Sequence, residues 1–220
     1  VARVIAKEGG VLIGLELEPD EMDQMGLAGG RAEVFVEPFV PPPQLLVFGG
    51  GHVGGEICRL AKSVGFEVIV IDDRPMFANV NRHPLADRCM AAEVDNVFTA
   101  IQIDEQSYIV AATRGHQHDE QVVRQAVRTP ARYIGMLGSE RKKMLMWKKL
   151  EQEGGSRSRL DQVFAPIGLN IGADTPEEIA VSVVAELIRI RRGVRKRWKT
   201  KVSDPQESGV AAKAAADGNN

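Results

Sequence analysis

The sequence predicts an α/β fold: a Rossmann-like, mostly parallel sheet with helices on both faces, preceded by a small strand-rich N-terminal segment. Three observations carry this. A short apolar run over residues 45–48 leads straight into GGGHVG and then into helical spacing. A second apolar run over 68–71 ends on Asp72, which completes a βαβ unit. Two further strand–helix repeats follow, with strands at 108–112 and 132–137.

The elements follow in chain order. VLIGLELEP (11–19) and AEVFVEPF (32–39) alternate with period two, so each reads as a half-buried strand, with the LAGGR turn (27–31) between them. Forty residues bury little surface alone, so this segment must lean on something else. Pro41, Pro42 and Pro43 form a stiff connector. The expected organisation is therefore a partial strand-rich segment with its linker (1–43), a Rossmann-like domain (44–193) and a basic, then disordered, tail (194–220). Within the domain, Val53, Ile57, Leu60 and Ala61 recur at helical spacing, and Gly65 ends that helix. Residues 76–87 read as a long polar loop, and 91–103 fit a short strand or a short helix equally. Val122, Val123, Ala126 and Val127 mark a helix over 119–127. Ser139 caps a helix carrying Met144, Trp147 and Leu150, stopped by Gly154 and Gly155. In the last helix Thr175 is the N-cap, Pro176 takes the first position and Glu178 closes a capping box. Its apolar face is Ala180, Val183, Val184 and Leu187, and Arg189, Arg191 and Arg192 suit the negative end of its dipole.

Composition bounds the function. Of 220 residues, 44% are hydrophobic and 26% charged, so a packed core is expected. The net charge of −2 gives no support to a nucleic-acid binder. The basic stretch from Arg189 to Lys201 reads as a solvated helix end. Two cysteines, Cys58 and Cys89, exclude a disulfide scaffold and a four-cysteine zinc site, and point to a reducing, cytoplasmic setting. No apolar run reaches the length that spans a bilayer. The opening VARVIAKEGG has neither an initiator methionine nor an apolar signal, as expected of a processed chain or of one cut from a longer protein.

Gly49, Gly51 and Gly54 make G-x-G-x-x-G between a strand and a helix. Gly49 allows the tight turn, Gly51 lets the backbone approach a phosphate, and Gly54 lets the helix pack closely. The free N–H groups of the helix start would hold phosphate charge. Asp72, 23 residues after Gly49, stands where an acid can accept both ribose hydroxyl hydrogens. It favours NAD over NADP should either bind. Asp73 is secondary, because adjacent strand residues face opposite ways. The strand over 108–112 feeds TRGHQHDE, which places His116, His118 and Asp119 beyond the carboxyl end of the sheet. Two histidines two apart on an extended loop can share a face and, with Asp119, move a proton or bind a metal. His52 could face the same crevice. The plainer reading makes Asp119 a helix N-cap and the histidines ordinary loop residues. No third ligand is fixed for zinc, and His83 reads as an exposed loop residue. Gly138 and Ser139 form a turn and cap that could hold an anion. The two glycines and the asparagine of PIGLNIGAD (166–174) permit unusual backbone angles or close contact with a ligand.

VFVEP, PPPQLLVFGGGHVG, IVIDDRP, GHQHD, YIGMLGS and PIGLNIGADTPEEIAVSVVAE together resemble the XdhC/CoxI family over residues 29–193. Members of that family are accessory factors of molybdenum hydroxylases such as xanthine dehydrogenase. The resemblance implies a chaperone-like maturation role: binding molybdenum cofactor (molybdopterin), protecting it, supporting its sulfuration and inserting it into an apo-hydroxylase. The implied partners are that apo-enzyme and a cysteine desulfurase, and a homodimer is the default assembly. Gly49, Gly51, His52, Gly54, Asp72, His116, His118, Asp119, Gly138 and Ser139 fall on matching positions. Where the family carries cysteine-glycine-glycine, this chain has Ala28-Gly29-Gly30. Two other functions fit the residues. One is an NAD(P)-dependent oxidoreductase with His116 or His118 as acid or base. The other is a Rossmann scaffold that acts through partners.

Overall fold

The structure, a computed structural model, describes residues 11–16, 31–37 and 41–193. β1 (Val11–Glu16) and β2 (Arg31–Val36) pair antiparallel, with Val11 opposite Val36 and Glu16 opposite Arg31. Leu12, Val34 and Phe35 of this ribbon are exposed, where the alternation predicts half-buried strands. A two-stranded ribbon has no second layer of its own to cover either face. Most of the 27–31 turn, the Ala28-Gly29-Gly30 stretch and the tail from 194 onward lie outside the described residues.

The main sheet has five parallel strands in the order β5-β4-β3-β6-β7. They are β3 (Gln44–Phe48), β4 (Glu67–Asp72), β5 (Arg88–Ala91), β6 (Ser107–Ala111) and β7 (Tyr133–Met136). Between them run α1 (His52–Ser63), α2 (Val94–Ala100), α3 (His116–Ala126), α4 (Glu140–Gln152), α5 (Arg157–Leu160) and α6 (Pro176–Arg191). Side-chain alternation splits each central strand between two cores. Leu45, Val47, Val68, Val70, Tyr108 and Val110 pack with α1 and α6. Leu46, Phe48, Ile69, Ile71, Ile109 and Ala111 pack with α2, α3 and α4. Continuous apolar runs are what a parallel sheet covered on both faces requires.

The ambiguous 91–103 stretch resolves into the end of β5 and the short α2. Met144 departs from expectation: it is 71% exposed, and Met146 is buried with Trp147 and Leu150 instead. At about 100° per residue, Met144 lies some 110° from the centre of that stripe. Thr175, Pro176 and Glu178 form the expected capping box, both of its hydrogen bonds present. The strand order reverses between β3 and β6, so their carboxyl ends flank a topological switch point.

Candidate phosphate-binding site

The turn after β3 is built where only glycine fits. Gly49 has φ +114° and donates its N–H to the Ile71 carbonyl at 2.7 Å. A Cβ there would overlap the Ala112 carbonyl oxygen, so the turn is wedged between the ends of β4 and β6. A Cβ on Gly54 would overlap the Gly49 carbonyl oxygen, which fixes the close approach of α1 to the turn. Gly51 differs: an added Cβ would meet nothing within 4 Å. It is the N-cap of α1, carries no capping side chain, and no acid stands in the first turn. The leading N–H groups of the helix have no intrahelical partner, and they carry the positive end of its dipole.

Sequence reasoning missed how this turn is held. Asp72 is 6% exposed and accepts from the Gly50 N–H at 3.0 Å, from the Arg74 N–H at 3.1 Å and from the Arg74 guanidinium at 2.9 and 3.1 Å. Burial pushes this carboxyl up, but the Arg74 and Gly50 hydrogen bonds outweigh it and hold the group below its ordinary value. Its oxygens are therefore committed to the turn, not left for a ribose. The 74–83 segment then folds back over Gly50. The Arg82 Nε donates to the Gly50 carbonyl at 3.0 Å, and the guanidinium groups of Arg74 and Arg82 both lie over the Phe77 ring. His83, expected in solvent, is only 5% exposed. Its Nε2 meets the Phe77 carbonyl at 2.8 Å, and its ring fills the space that Gly50 and Gly55 leave empty. The signal was present in GGGHVGG, because the second and fifth glycines lie outside the dinucleotide fingerprint and needed their own reason.

The crevice beside the turn is bordered by Phe48, Gly49, Ile71, Asp73, Val94 and Arg114, with Asp72 and His118 also at its edge. Asp73 accepts from Arg114 at 2.9 Å, and the His118 Nε2 lies 4.0 Å from it. Asp73 is thus the acid with spare acceptor capacity toward the crevice.

The histidine cluster takes another form than expected. His116 and His118 stand in the first turn of α3, about 200° apart around its axis, not side by side on a loop. The His116 side chain lies outside the described residues. Gly115, not Asp119, is the N-cap. Asp119 is 1% exposed and accepts from the Thr113 N–H at 2.9 Å, the Thr113 hydroxyl at 2.6 Å and the Lys142 ammonium at 2.5 Å. Lys142 also donates to the Leu137 carbonyl at 3.0 Å. The trio ties the end of β6 to α4. Ser139 caps α4 by accepting from the Lys142 N–H at 3.3 Å, and Gly138, φ +153°, leaves room for the Lys142 side chain.

A third buried acid, unlike Asp72 and Asp119, was not singled out in the sequence. Glu186, 4% exposed, accepts from the Tyr133 hydroxyl at 2.8 Å, the Gly168 N–H at 2.9 Å and Arg189 at 3.1 Å. It pins the PIGLNIG loop to β7 and α6. A Cβ on Gly168, φ +92°, would overlap the Ser182 hydroxyl, so that glycine serves packing. Among the described residues no three His, Cys, Asp or Glu side chains are placed to hold a metal ion, and no helix is long and apolar enough to cross a membrane.

The strand order and the glycine turn at the switch point define a Rossmann-type domain. Residues 45–187 match the family model described as the XdhC Rossmann domain, and the chain belongs to the XdhC family. It is 35% identical over 162 residues to a probable xanthine dehydrogenase subunit of Bacillus subtilis (strain 168), covering 73% of this chain and 47% of that protein. It is 24% identical over 184 residues to the molybdenum cofactor insertion chaperone PaoD of Escherichia coli (strain K12), covering 81% and 51%. The chain thus spans about half the length of these two relatives. A crystal structure described as that of a xanthine dehydrogenase (BH1974) from Bacillus halodurans superposes with a TM-score of 0.64 at 28% identity, over 80% of this chain and 48% of that one.

Proposed function

We propose that this chain is the phosphate-anchoring part of a maturation factor that holds molybdenum cofactor and passes it to an apo molybdenum hydroxylase. The observation that carries the reading is the start of α1. Its N-cap Gly51 opens onto free space, and no side chain caps the first turn. A phosphate monoester, which molybdopterin carries, is the charge that such a helix start accepts. The names of the two relatives, one a cofactor insertion chaperone and the other part of a xanthine dehydrogenase, supply the client class. When bound, the cofactor brings the molybdenum and its dithiolene. The chain contributes the anchor, with Gly51, His52 and Val53 around the phosphate.

Sulfuration draws its sulfur from a partner such as a cysteine desulfurase. Burial pushes the Cys58 thiol up to about 11 and raises the Cys89 thiol as well, so neither is an available thiolate near neutral pH. A dinucleotide as the phosphate carrier is the second reading, favoured by the crevice-facing carboxylate of Asp73.

The test is co-expression of the chain with a molybdenum hydroxylase, followed by oxidation of the purified chain to release fluorescent pterin. Expected are co-purified pterin and capture of the apo-hydroxylase. Absence of both from a folded chain refutes the proposal.

A further inference from the structure

The solvent side of α4 has an unusual makeup. Met146, Trp147 and Leu150 bury one face of the helix in the core. On the opposite face stand Arg141, Met144, Leu145 and Lys148, spaced i, i+3, i+4 and i+7. At about 100° per residue, these four share one sector of about 100°. Met144 is 71% exposed and Leu145 is 65% exposed. The solvent side of a surface helix ordinarily carries polar residues at such positions.

The charges of α4 mark the same face. Glu140 pairs with Lys143, Lys142 with Asp119, Lys149 with Glu120 and Glu151 with Arg157. Arg141 and Lys148 are exposed, and their side chains have neither an ion pair nor a hydrogen bond among the described residues. The helix thus leaves two cations unmatched. They lie about 10 Å apart along its axis, one on each side of the apolar pair.

We propose that this face of α4 docks an acidic amphipathic helix of a protein partner. Two carboxylates seven residues apart meet Arg141 and Lys148, and two apolar side chains between them pack on Met144 and Leu145. Helices packed side by side interdigitate residues of the same spacing, and the flexible Met144 thioether adapts to its neighbour. Other occupants fit less well. An extended strand covers about 10 Å in three residues, which points its two carboxylates to opposite faces. A membrane-lying helix needs a broad apolar face, and here two apolar side chains are framed by charges. A second copy joined face to face about a two-fold axis sets cation against cation. The docking face is tied to the end of β6, because Lys142, on the same helix, holds both Asp119 and the Leu137 carbonyl. The inference is independent of what the glycine turn holds.

The experiment titrates the full chain, its methionine methyls labelled with ¹³C, with an alanine-based helical peptide of about 16 residues. The peptide carries Glu at i and i+7 and Leu at i+3 and i+4. Expected are a shift of the Met144 methyl signal with the buried Met146 signal unmoved, and a roughly tenfold loss of affinity in the double variant Arg141→Glu, Lys148→Glu. A peptide with lysines in place of its two glutamates should recover binding to that variant. Both substitutions are at exposed positions, and an acid in the first turn suits the helix start, so an unchanged Tm is expected alongside. An unmoved Met144 signal, equal affinity in both chains, or no recovery with the lysine peptide overturns the proposal. Vesicles of equal parts phosphatidylserine and phosphatidylcholine are the second arm. Binding to them without binding to the peptide overturns it in favour of a membrane. A Met144 signal that moves with protein concentration alone overturns it in favour of a second copy.

Discussion

Gly51→Asp separates stability from ligand binding at a single atom-sized site. The backbone of Gly51 is already extended, φ −72° and ψ −166°, as an N-cap requires, and its Cβ position is empty space. An aspartate there can accept from the N–H groups of the first turn. Against glycine the cap gains a few tenths of a kcal/mol, and the charge gains about 0.3–1 kcal/mol from the helix dipole. The sum is about 1 kcal/mol, or roughly 2–4 °C in Tm for a chain of this size. The same carboxylate occupies the place proposed for the phosphate. Two like charges about 4 Å apart near a protein surface repel by about 4 kcal/mol, or nearly a thousandfold in affinity. The substitution therefore raises Tm while abolishing binding of a phosphorylated pterin. Calorimetric melting and a fluorescence titration on the same preparation check both halves. A variant that melts higher yet binds as tightly as the unaltered chain places the phosphate elsewhere. One that melts lower contradicts the cap geometry itself.

Other substitutions probe what holds the turn. Gly54→Ala drives a methyl into the Gly49 carbonyl and is expected to cost about 1–3 kcal/mol, read as a fall in Tm. Asp72→Asn removes charged acceptors from Arg74 and Gly50 and should cost about 2 kcal/mol at pH 7. Because the folded state holds the Asp72 carboxyl below its ordinary value, this contribution is present above about pH 4 and fades as pH falls through the depressed folded value. The gap between the two chains should therefore narrow in acid denaturant titrations. Tyr133→Phe takes one donor from the buried Glu186 and leaves Gly168 and Arg189, for a loss of about 1–2 kcal/mol by urea unfolding. Thr175→Ala opens the capping box of α6 and should cost about 1 kcal/mol in the same assay.

The parallel sheet was legible because the middles of β3, β4 and β6 are buried on both faces, and burial writes itself as apolar runs. The α6 cap was legible because Thr175, Pro176 and Glu178 act within one turn of chain. The site was less so. Asp119 follows two histidines in a polar string and reads as a proton-handling group or a helix N-cap, yet its partner Lys142 lies 23 residues on, and nothing local announces the pair. Glu186 sits amid an apolar helix and is satisfied by Tyr133, 53 residues earlier. His83 has no periodic neighbours, and its burial follows from two glycines in another element. Sequence periodicity reports which face an element buries. It does not report which polar group from a distant element completes a hydrogen bond there.

The distant contacts also bear on how the turn would work. Both polar groups of Gly50 are engaged, its N–H by Asp72 and its carbonyl by Arg82, and Phe77 and His83 close over it. The backbone that leads into α1 is therefore set before any ligand arrives, and binding need not spend free energy on ordering it. Arg82 and His83 act as struts for the turn: the Arg82 Nε holds the Gly50 carbonyl and the His83 ring stands against Gly50 and Gly55, so the start of α1 depends on a segment about thirty residues further along the chain.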